Sequence, residues 1–178
     1  RRGLVRILLF GPDGQVGTAL RRALRPLGEL VVVPRAGSKG LHGDFSRPAG
    51  LTETVDRVRP DLVVHAAAYT AVDRAEDEPA LAQTVNGQAP AVLAETATRC
   101  GCWLVHYSTD YVFDGSGHRP WREGDPRGPL GVYGRTKLAG EQAVAMHARH
   151  LILRTSWVYS LTGAGFLRTI LRAAQQRD

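Results

Sequence analysis

The chain has 178 residues, of which 43% are hydrophobic and 22% are charged, and its 23 Lys and Arg outnumber its 17 Asp and Glu. These values are typical of one globular domain with a hydrophobic core, and they are compatible with both an enzyme and a binding module. The sequence has no apolar run of membrane length and no signal-peptide pattern, and its basic residues are scattered, so we expect neither a membrane nor a nucleic-acid partner.

Apolar runs and helical spacings alternate along the chain. The run V-R-I-L-L-F at residues 5–10 predicts a strand that is buried on both faces. Strands alternating with helices predict an α/β fold, a doubly wound parallel sheet of the Rossmann type, which we expect to form one domain over residues 1–178. Long loops are expected at 34–43 and 113–131. The predicted strands are 5–10, 30–33, 62–65, 103–107 and 151–154, and the predicted helices are 15–27, 51–58, 79–99, 132–148 and 166–177.

The two cysteines, Cys100 and Cys102, are spaced C-x-C, which is neither a zinc pair nor the C-x-x-C redox motif. We interpret them as reduced, partly buried thiols of a cytoplasmic protein, and we predict no metal site. The chain begins at Arg1 without a methionine, so we expect its original N-terminus to be missing or processed.

A glycine-rich loop, G-P-D-G-Q-V-G, lies between the first predicted strand and the first predicted helix. In a dinucleotide-binding loop, Gly11 would permit the tight turn, Gly14 would let the backbone approach a pyrophosphate, and Gly17 would let the helix pack close to the sheet. The helix N-terminus would supply amide donors for the phosphates. The spacing is G-x-x-G-x-x-G rather than G-x-G-x-x-G, so an ordinary glycine-rich turn is the alternative interpretation.

The residues after the second predicted strand bear on the choice between NADPH and NADH. An acidic residue there would bind the ribose hydroxyls of NAD, but this chain has Pro34, followed by Arg35 and Lys39. A 2′-phosphate would find cations at this point, so we predict NADPH, with NADH possible. Further along, Asp44 is either an acceptor for the adenine amino group or a turn or helix-cap residue, and the sequence leaves both open.

Two polar stretches follow later elements. Ser108-Thr-Asp-Tyr111 comes directly after the fourth predicted strand, where ligands bind in doubly wound sheets, so Thr109 is a candidate donor to a substrate carbonyl; a strand-end turn of small polar residues is the alternative. Tyr133 and Lys137 are four residues apart in a predicted helix and so share one face, about 6 Å apart. We expect the ammonium to lower the pKa of the phenol toward working pH.

These stretches occur together, and in this order, in one known family. The glycine loop, A-A-A-Y-T-A-V-D at 66–73, S-T-D-Y-V-F-D-G at 108–115, the tyrosine–lysine pair and R-T-S-W-V-Y at 154–159 resemble the dTDP-4-dehydrorhamnose reductases, which are extended short-chain dehydrogenases/reductases. The resemblance covers residues 4–177. It implies reduction of the C4 ketone of a dTDP-4-keto-6-deoxysugar, giving dTDP-L-rhamnose, with NADPH or NADH.

The resemblance also implies residue roles. Tyr133 would donate the proton, Lys137 would hold the nicotinamide ribose, and Thr109 would contact the keto oxygen. The expected substrate residues are Thr109, Asp110, Tyr111 and Trp157. The expected cofactor residues, those of the loop and of the resemblance together, are Gly11, Gly14, Gln15, Val16, Gly17, Arg35, Asp44, Phe45, Ala67, Ala68, Tyr69, Thr70, Tyr107, Tyr133 and Lys137.

Two departures and three alternatives accompany this resemblance. Many members carry an acid at the position of Pro34, which puts NADH use in doubt, and the family continues into a smaller C-terminal domain that grips the nucleotide sugar, which we do not expect in this chain. Without the C-terminal domain we expect an apolar patch and a possible homo-oligomer.

A regulatory module without turnover is the main alternative to the reductase. A dehydratase would need an acid where Tyr111 stands, and an epimerase is neither supported nor excluded.

Overall fold

Five parallel strands form the centre of the protein in the computed structural model, which describes residues 4–160 and 166–176. Their order across the sheet is β2-β1-β3-β4-β5, so the direction of winding reverses between β1 and β3. Every neighbouring pair is parallel. The strands are β1 (Arg6–Phe10), β2 (Glu29–Val33), β3 (Leu62–His65), β4 (Trp103–Thr109) and β5 (His150–Thr155).

Helices cover the two faces of this sheet unequally. The helical elements are α1 (Gln15–Leu24), α2 (Ala49–Val58), α3 (Val72–Asp77), α4 (Pro79–Gln83), α5 (Ala89–Cys100), α6 (Val132–Ala145) and α7 (Phe166–Gln175), with a π-turn at Thr84–Gln88 and 3₁₀ turns at Arg25–Leu27 and Asp110–Val112. The larger core cluster joins β1, β3 and β4 to α2, α5 and α6, and the smaller one joins the opposite face to α1.

The alternation of side chains along β1 explains this two-layered core. Leu8 and Phe10 belong to the larger cluster, while Ile7 and Leu9 belong to the smaller one, and all four are almost completely buried. Successive strand residues point to opposite faces, so an unbroken apolar run can fill both layers. The prediction of a doubly wound parallel sheet is confirmed.

Element boundaries differ from the prediction where local chemistry decides them. The first helix ends at Leu24 and tightens into a 3₁₀ turn that contains Pro26, because proline has no N–H for a continuing helix. The helix predicted for 79–99 is interrupted by the π-turn at Thr84–Gln88, and α3 was not predicted because six mostly polar residues give little periodicity. The predicted helix end at 177 lies outside the described residues. No described helix is long and apolar enough to cross a membrane.

Candidate active site

A cleft of about 750 Å³ opens where the carboxyl ends of the strands meet the start of α6. It adjoins the reversal of winding between β1 and β3, which is where ligands bind in open α/β sheets. The predicted site residues that line it are Gly11, Gly14, Gln15, Val16, Arg35, Ala67, Ala68, Thr70, Tyr107, Thr109, Asp110, Tyr111, Tyr133, Lys137 and Trp157.

The glycine loop is shaped by close backbone approaches. Gly11 has φ +74°, and a Cβ added there would lie 2.6 Å from the backbone nitrogen of Ala67. A Cβ on Gly17 would lie 1.9 Å from the carbonyl oxygen of Gly11, so only glycine lets α1 pack this close to the turn. Gly14 caps α1 in an extended conformation with no side-chain cap, and a Cβ there would meet only the Gly11 carbonyl, at 3.8 Å. The loop therefore presents an open helix N-terminus to the cleft.

Arg35 marks the far end of the cleft. Its side chain is 80% exposed, and its Nε lies 3.5 Å from Oδ1 of Asp44. Asp44 Oδ1 also accepts hydrogen bonds from the Ser46 backbone N–H (3.0 Å) and hydroxyl (2.8 Å), so of the two roles left open by the sequence, the turn is formed. Burial raises the pKa of Asp44, but the bonds from Ser46 and the charge of Arg35 outweigh it and lower the pKa.

Four predicted cofactor residues do not line the cleft: Gly17, Asp44, Phe45 and Tyr69. Phe45 is 3% exposed because its ring is packed in the larger core cluster, where it stacks on His65 with ring centroids 4.5 Å apart. The hydroxyl of Tyr69 donates to the Glu78 carboxylate, which holds the ring outside the cleft lining. The backbone of Tyr69 is fixed at both its N–H and its carbonyl by the side chain of Asn86.

Thr109 and Tyr133 line the cleft, and both are largely buried. Thr109 Oγ1 donates to Asp110 Oδ1 (3.1 Å) and accepts from the Tyr111 N–H (3.2 Å). The ring of Tyr133 packs edge-on against Tyr111, with centroids 5.5 Å apart. Burial, with smaller contributions from Asp110 and Tyr111, outweighs the lowering effect of the Thr109 hydroxyl and raises the pKa of Tyr133 above its ordinary value of about 10. Tyr133 therefore keeps its proton at neutral pH.

Lys137 is buried beside the same cleft, with 2% of its surface exposed. Its Nζ donates to the carbonyl oxygen of Tyr107 at 2.6 Å, and burial lowers its pKa to about 8. The expectation that Lys137 lowers the pKa of Tyr133 is wrong for this structure, because the ammonium is directed to Tyr107 and burial dominates at the phenol.

Several cleft residues carried no role in the sequence interpretation. Ser108 has a buried hydroxyl with no partner among the described residues, and Ser156 donates to Asp110 Oδ2 at 2.6 Å. Thr155 pairs with Thr109 at the ends of β5 and β4, and this pairing brings Thr155 and Ser156 to the cleft. The strand-end position of Ser108 could have identified it, whereas Asn86 could not be identified, because its place depends on the π-turn.

An aromatic edge borders the cleft on the side of β5. Trp157 is 82% exposed, and its φ of +52° is unusual for a residue with a side chain. Its ring contacts Phe166 of α7 in a T-shaped arrangement, with centroids 6.1 Å apart. Tyr111, half-exposed, lines the same cleft and packs against the ring of Tyr133. The described residues contain no cluster of His, Cys, Asp and Glu that could hold a metal ion.

Comparisons with known proteins agree with this geometry. The family model described as "RmlD substrate binding domain" matches residues 5–178. A protein of Shigella flexneri called dTDP-4-dehydrorhamnose reductase is 54% identical over 173 residues, which are 97% of this chain and 58% of that protein. The crystal structure of a dTDP-4-dehydrorhamnose reductase from Bacillus anthracis in complex with NADP superposes with a TM-score of 0.90 at 34% identity, covering 98% of this chain and 61% of that one. The structure of a dTDP-4-dehydrorhamnose reductase from Clostridium acetobutylicum superposes with a TM-score of 0.90 at 32% identity, with the same coverage of both chains. The chain thus spans about three fifths of the length of these relatives.

Proposed function

The chain belongs to the RmlD substrate binding domain family. On that premise we propose that it binds NADPH and carries the catalytic residues of a ketone reductase. The proposed reaction reduces the C4 ketone of dTDP-4-dehydro-6-deoxy-L-mannose, or of a closely related deoxysugar nucleotide, to the alcohol. The observation that carries this proposal is the convergence of the glycine loop, Thr109, Tyr133 and Lys137 in one cleft. The names of similar proteins and the NADP of one similar structure support it.

The residues of the cleft fit a dinucleotide. The space that a Cβ on Gly14 would enter is free, so a pyrophosphate can approach the backbone at the N-terminus of α1. The buried side-chain oxygens of Gln15 and Ser108 have no partner among the described residues and lie in this cleft, where a ligand would satisfy them. Arg35, at the far end, would meet a 2′-phosphate, and Lys137 would meet the nicotinamide ribose.

NADPH, when bound, supplies the hydride, and this chain supplies the proton and its position. Tyr133 is the proton donor, and the rise of its pKa on burial keeps the phenol protonated until an oxygen in front of it becomes basic. Thr109, whose hydroxyl now donates to Asp110, turns to the same oxygen and donates a hydrogen bond to it. Both side chains are largely buried, with 6% and 9% of their surface exposed.

The sugar nucleotide is proposed to bind against the exposed aromatic edge. Trp157 offers a large apolar ring at the mouth, and Tyr111 offers a second beside the catalytic phenol. Asp110, which accepts from Ser156, can accept from a sugar hydroxyl in the same place. This arrangement favours a flat base or a sugar ring at the edge and a carbonyl deep in the cleft.

Two measurements test this proposal. Mixing the protein with NADPH and a dTDP-4-keto-6-deoxysugar should lower the absorbance of NADPH, whereas binding without oxidation would favour a non-catalytic binding module. In a fluorescence titration, Gly14→Val should abolish NADPH binding, because a Cβ at this position has room in the protein and the side chain would occupy the approach of the pyrophosphate. Gly124→Ala is the matched control, since a Cβ at that loop glycine meets nothing within 4 Å. Unchanged binding by Gly14→Val would contradict the cofactor site.

A further inference from the structure

Two buried histidines lie next to the residues that form the cleft floor. His65 ends β3 and stands opposite His106 of β4 in the strand register, and their Nδ1 atoms are 2.8 Å apart. Their exposures are 1% and 0%. One Nδ1 must donate and the other must accept, so at least one ring is neutral. Burial, and next the charge of Lys137, lower the pKa of His65 to about 3 and that of His106 well below its usual value.

The pair lies close enough to Lys137 for the charge of the ammonium to lower the pKa of both rings, yet neither ring bonds to it. Nζ of Lys137 donates to the carbonyl of Tyr107, the residue that follows His106. An ammonium has three N–H donors, yet within residues 4–160 and 166–176 that carbonyl is its only acceptor. The Nε2 atoms of both histidines are buried and without a partner among the described residues, so neither accepts from the ammonium.

Carboxylates do not complete the surroundings of this ammonium either. Glu141, one turn further along α6, is the one acid whose charge supports the protonated form, and both of its oxygens are occupied by Arg154, at 2.7 and 2.8 Å. Tyr133, one turn earlier on α6, and Tyr107 of β4 both have raised pKa values, so both remain neutral near pH 8. Lys137 is therefore a buried cation with one acceptor and neutral neighbours on the histidine side.

We propose that the His65–His106 pair is a positioning element for Lys137: it excludes water from the ammonium without offering it an acceptor, so that Lys137 takes up a proton when a dinucleotide binds. Only the last step rests on the proposed function. In the free protein, burial lowers the pKa of Lys137 to about 8, so the amine is partly neutral in mildly alkaline solution. Hydroxyl oxygens of a ribose in the cleft supply the missing acceptors and favour the charged form. By linkage, dinucleotide affinity then falls as the pH rises above 8.

The chain offers a direct measurement, because it contains only two lysines, Lys39 and Lys137. Labelling with [13Cε]lysine gives two NMR signals, of which that of the exposed Lys39 is the internal reference. We expect Lys137 to titrate near pH 8 in the free protein and at least about one pH unit higher with saturating NADH. NADH is the probe because it lacks the 2′-phosphate. Equal midpoints with and without bound NADH, or a free midpoint near the ordinary value of about 10.4, would overturn the inference.

Variants of the pair separate positioning from general damage. His106→Ala admits water beside Lys137, so its midpoint in the free protein should rise by about one pH unit or more. His147→Ala removes an equally buried ring that bonds Thr98 and the carbonyl of Cys102, and it should leave that midpoint unchanged. If His106→Ala does not fold, His65→Asn should shift the midpoint in the same direction.

The two hypotheses fail in different ways. A Lys137 midpoint that neither His106→Ala nor His65→Asn moves would disprove the role of the pair, whether or not NADH binds. Absence of NADH binding would disprove the proposed function and the proton uptake, while the titrations of the free protein would still decide what the histidines do.

Discussion

The floor of the cleft and the surface beyond β5 differ in how completely their side chains are packed. On the floor, Ser108 and Lys137 are almost fully buried and Tyr133 is 9% exposed. Beyond β5, Tyr159 is 77% exposed, and no described residue of α7, which begins at Phe166, is buried. The proposed dinucleotide side is therefore packed within the described residues, whereas the proposed sugar side presents apolar surface that no described residue covers.

The largest effect should come from removing the proton that Tyr133 is proposed to donate. Tyr133→Phe keeps the ring and its packing against Tyr111 but removes the transferable proton. We expect oxidation of bound NADPH in a single-turnover experiment with the ketone to slow by about 10²–10⁴-fold, the usual contribution of acid catalysis. The dissociation constant for NADPH should stay nearly unchanged.

A contrasting variant identifies the reason for that loss. Lys137→Ala should weaken NADPH binding as well as turnover, because it removes the proposed contact with the ribose. If Tyr133→Phe retained more than about a tenth of the wild-type rate, the loss would be smaller than acid catalysis supplies. The proton would then have to come from another group.

The second prediction concerns the exposed surface beyond β5. Binding energy from remote parts of a substrate normally holds the reacting centre in place. Trp157 gives only one wall for the sugar nucleotide, and relatives are longer than this chain by about two fifths of their length. We expect the 178-residue chain to bind NADPH yet turn over at least about a hundredfold more slowly than an intact relative, a loss within what positioning contributes.

Steady-state kinetics with saturating NADPH and the keto sugar nucleotide, on this chain and on an intact reductase side by side, measure that ratio. Rates within a few-fold of each other would show that the packed cleft floor suffices for catalysis and that our account of substrate positioning is mistaken.

The sequence predicted the backbone geometry of the cleft floor better than it predicted the pKa shifts there. The apolar run of β1, the close approach at Gly17 and the strand-end position of Thr109 are local patterns, and each predicts its own geometry. The histidine pair depends on the register between β3 and β4, which no local pattern contains. The raised pKa of Tyr133 likewise depends on burial by distant elements, so spacing to Lys137 gave the wrong direction.

The third prediction uses pH to test how closed the cleft floor is. Since the pKa of His65 is about 3 in the folded protein and near 6.5 in the unfolded chain, only the unfolded chain binds a proton between these values. Stability is therefore lost as the pH falls from 6.5 toward 3. At pH 5 the loss from His65 should be about 2 kcal/mol, or about thirtyfold in the folding equilibrium.

Urea denaturation at pH 7 and pH 5 measures this loss. His65→Asn should reduce the difference between the two pH values by about that amount. His42→Asn, which replaces an exposed histidine near Glu53, should leave the difference nearly unchanged. An equal pH dependence in wild type and His65→Asn would mean that water reaches this side of the floor.

The smallest predicted effect lies at the far end of the cleft, where the packed floor gives way to exposed side chains. Arg35 is available to a 2′-phosphate, and its pairing with Asp44 at 3.5 Å is exposed and loose, so little is lost when the guanidinium turns to the phosphate. A charge-assisted contact contributes roughly 1.5–3 kcal/mol, so NADPH should bind about tenfold or more tightly than NADH.

Fluorescence titrations with both dinucleotides measure this preference, and two variants locate its source. Arg35→Ala should bring the two dissociation constants together by weakening NADPH alone, because NADH has no phosphate at this point. Arg25→Ala removes an equal charge from the turn after α1, outside the cleft lining, and should preserve the preference. If Arg25→Ala reduced the preference as much as Arg35→Ala, the net charge of the chain would explain it, and the far end of the cleft would have no specific phosphate contact.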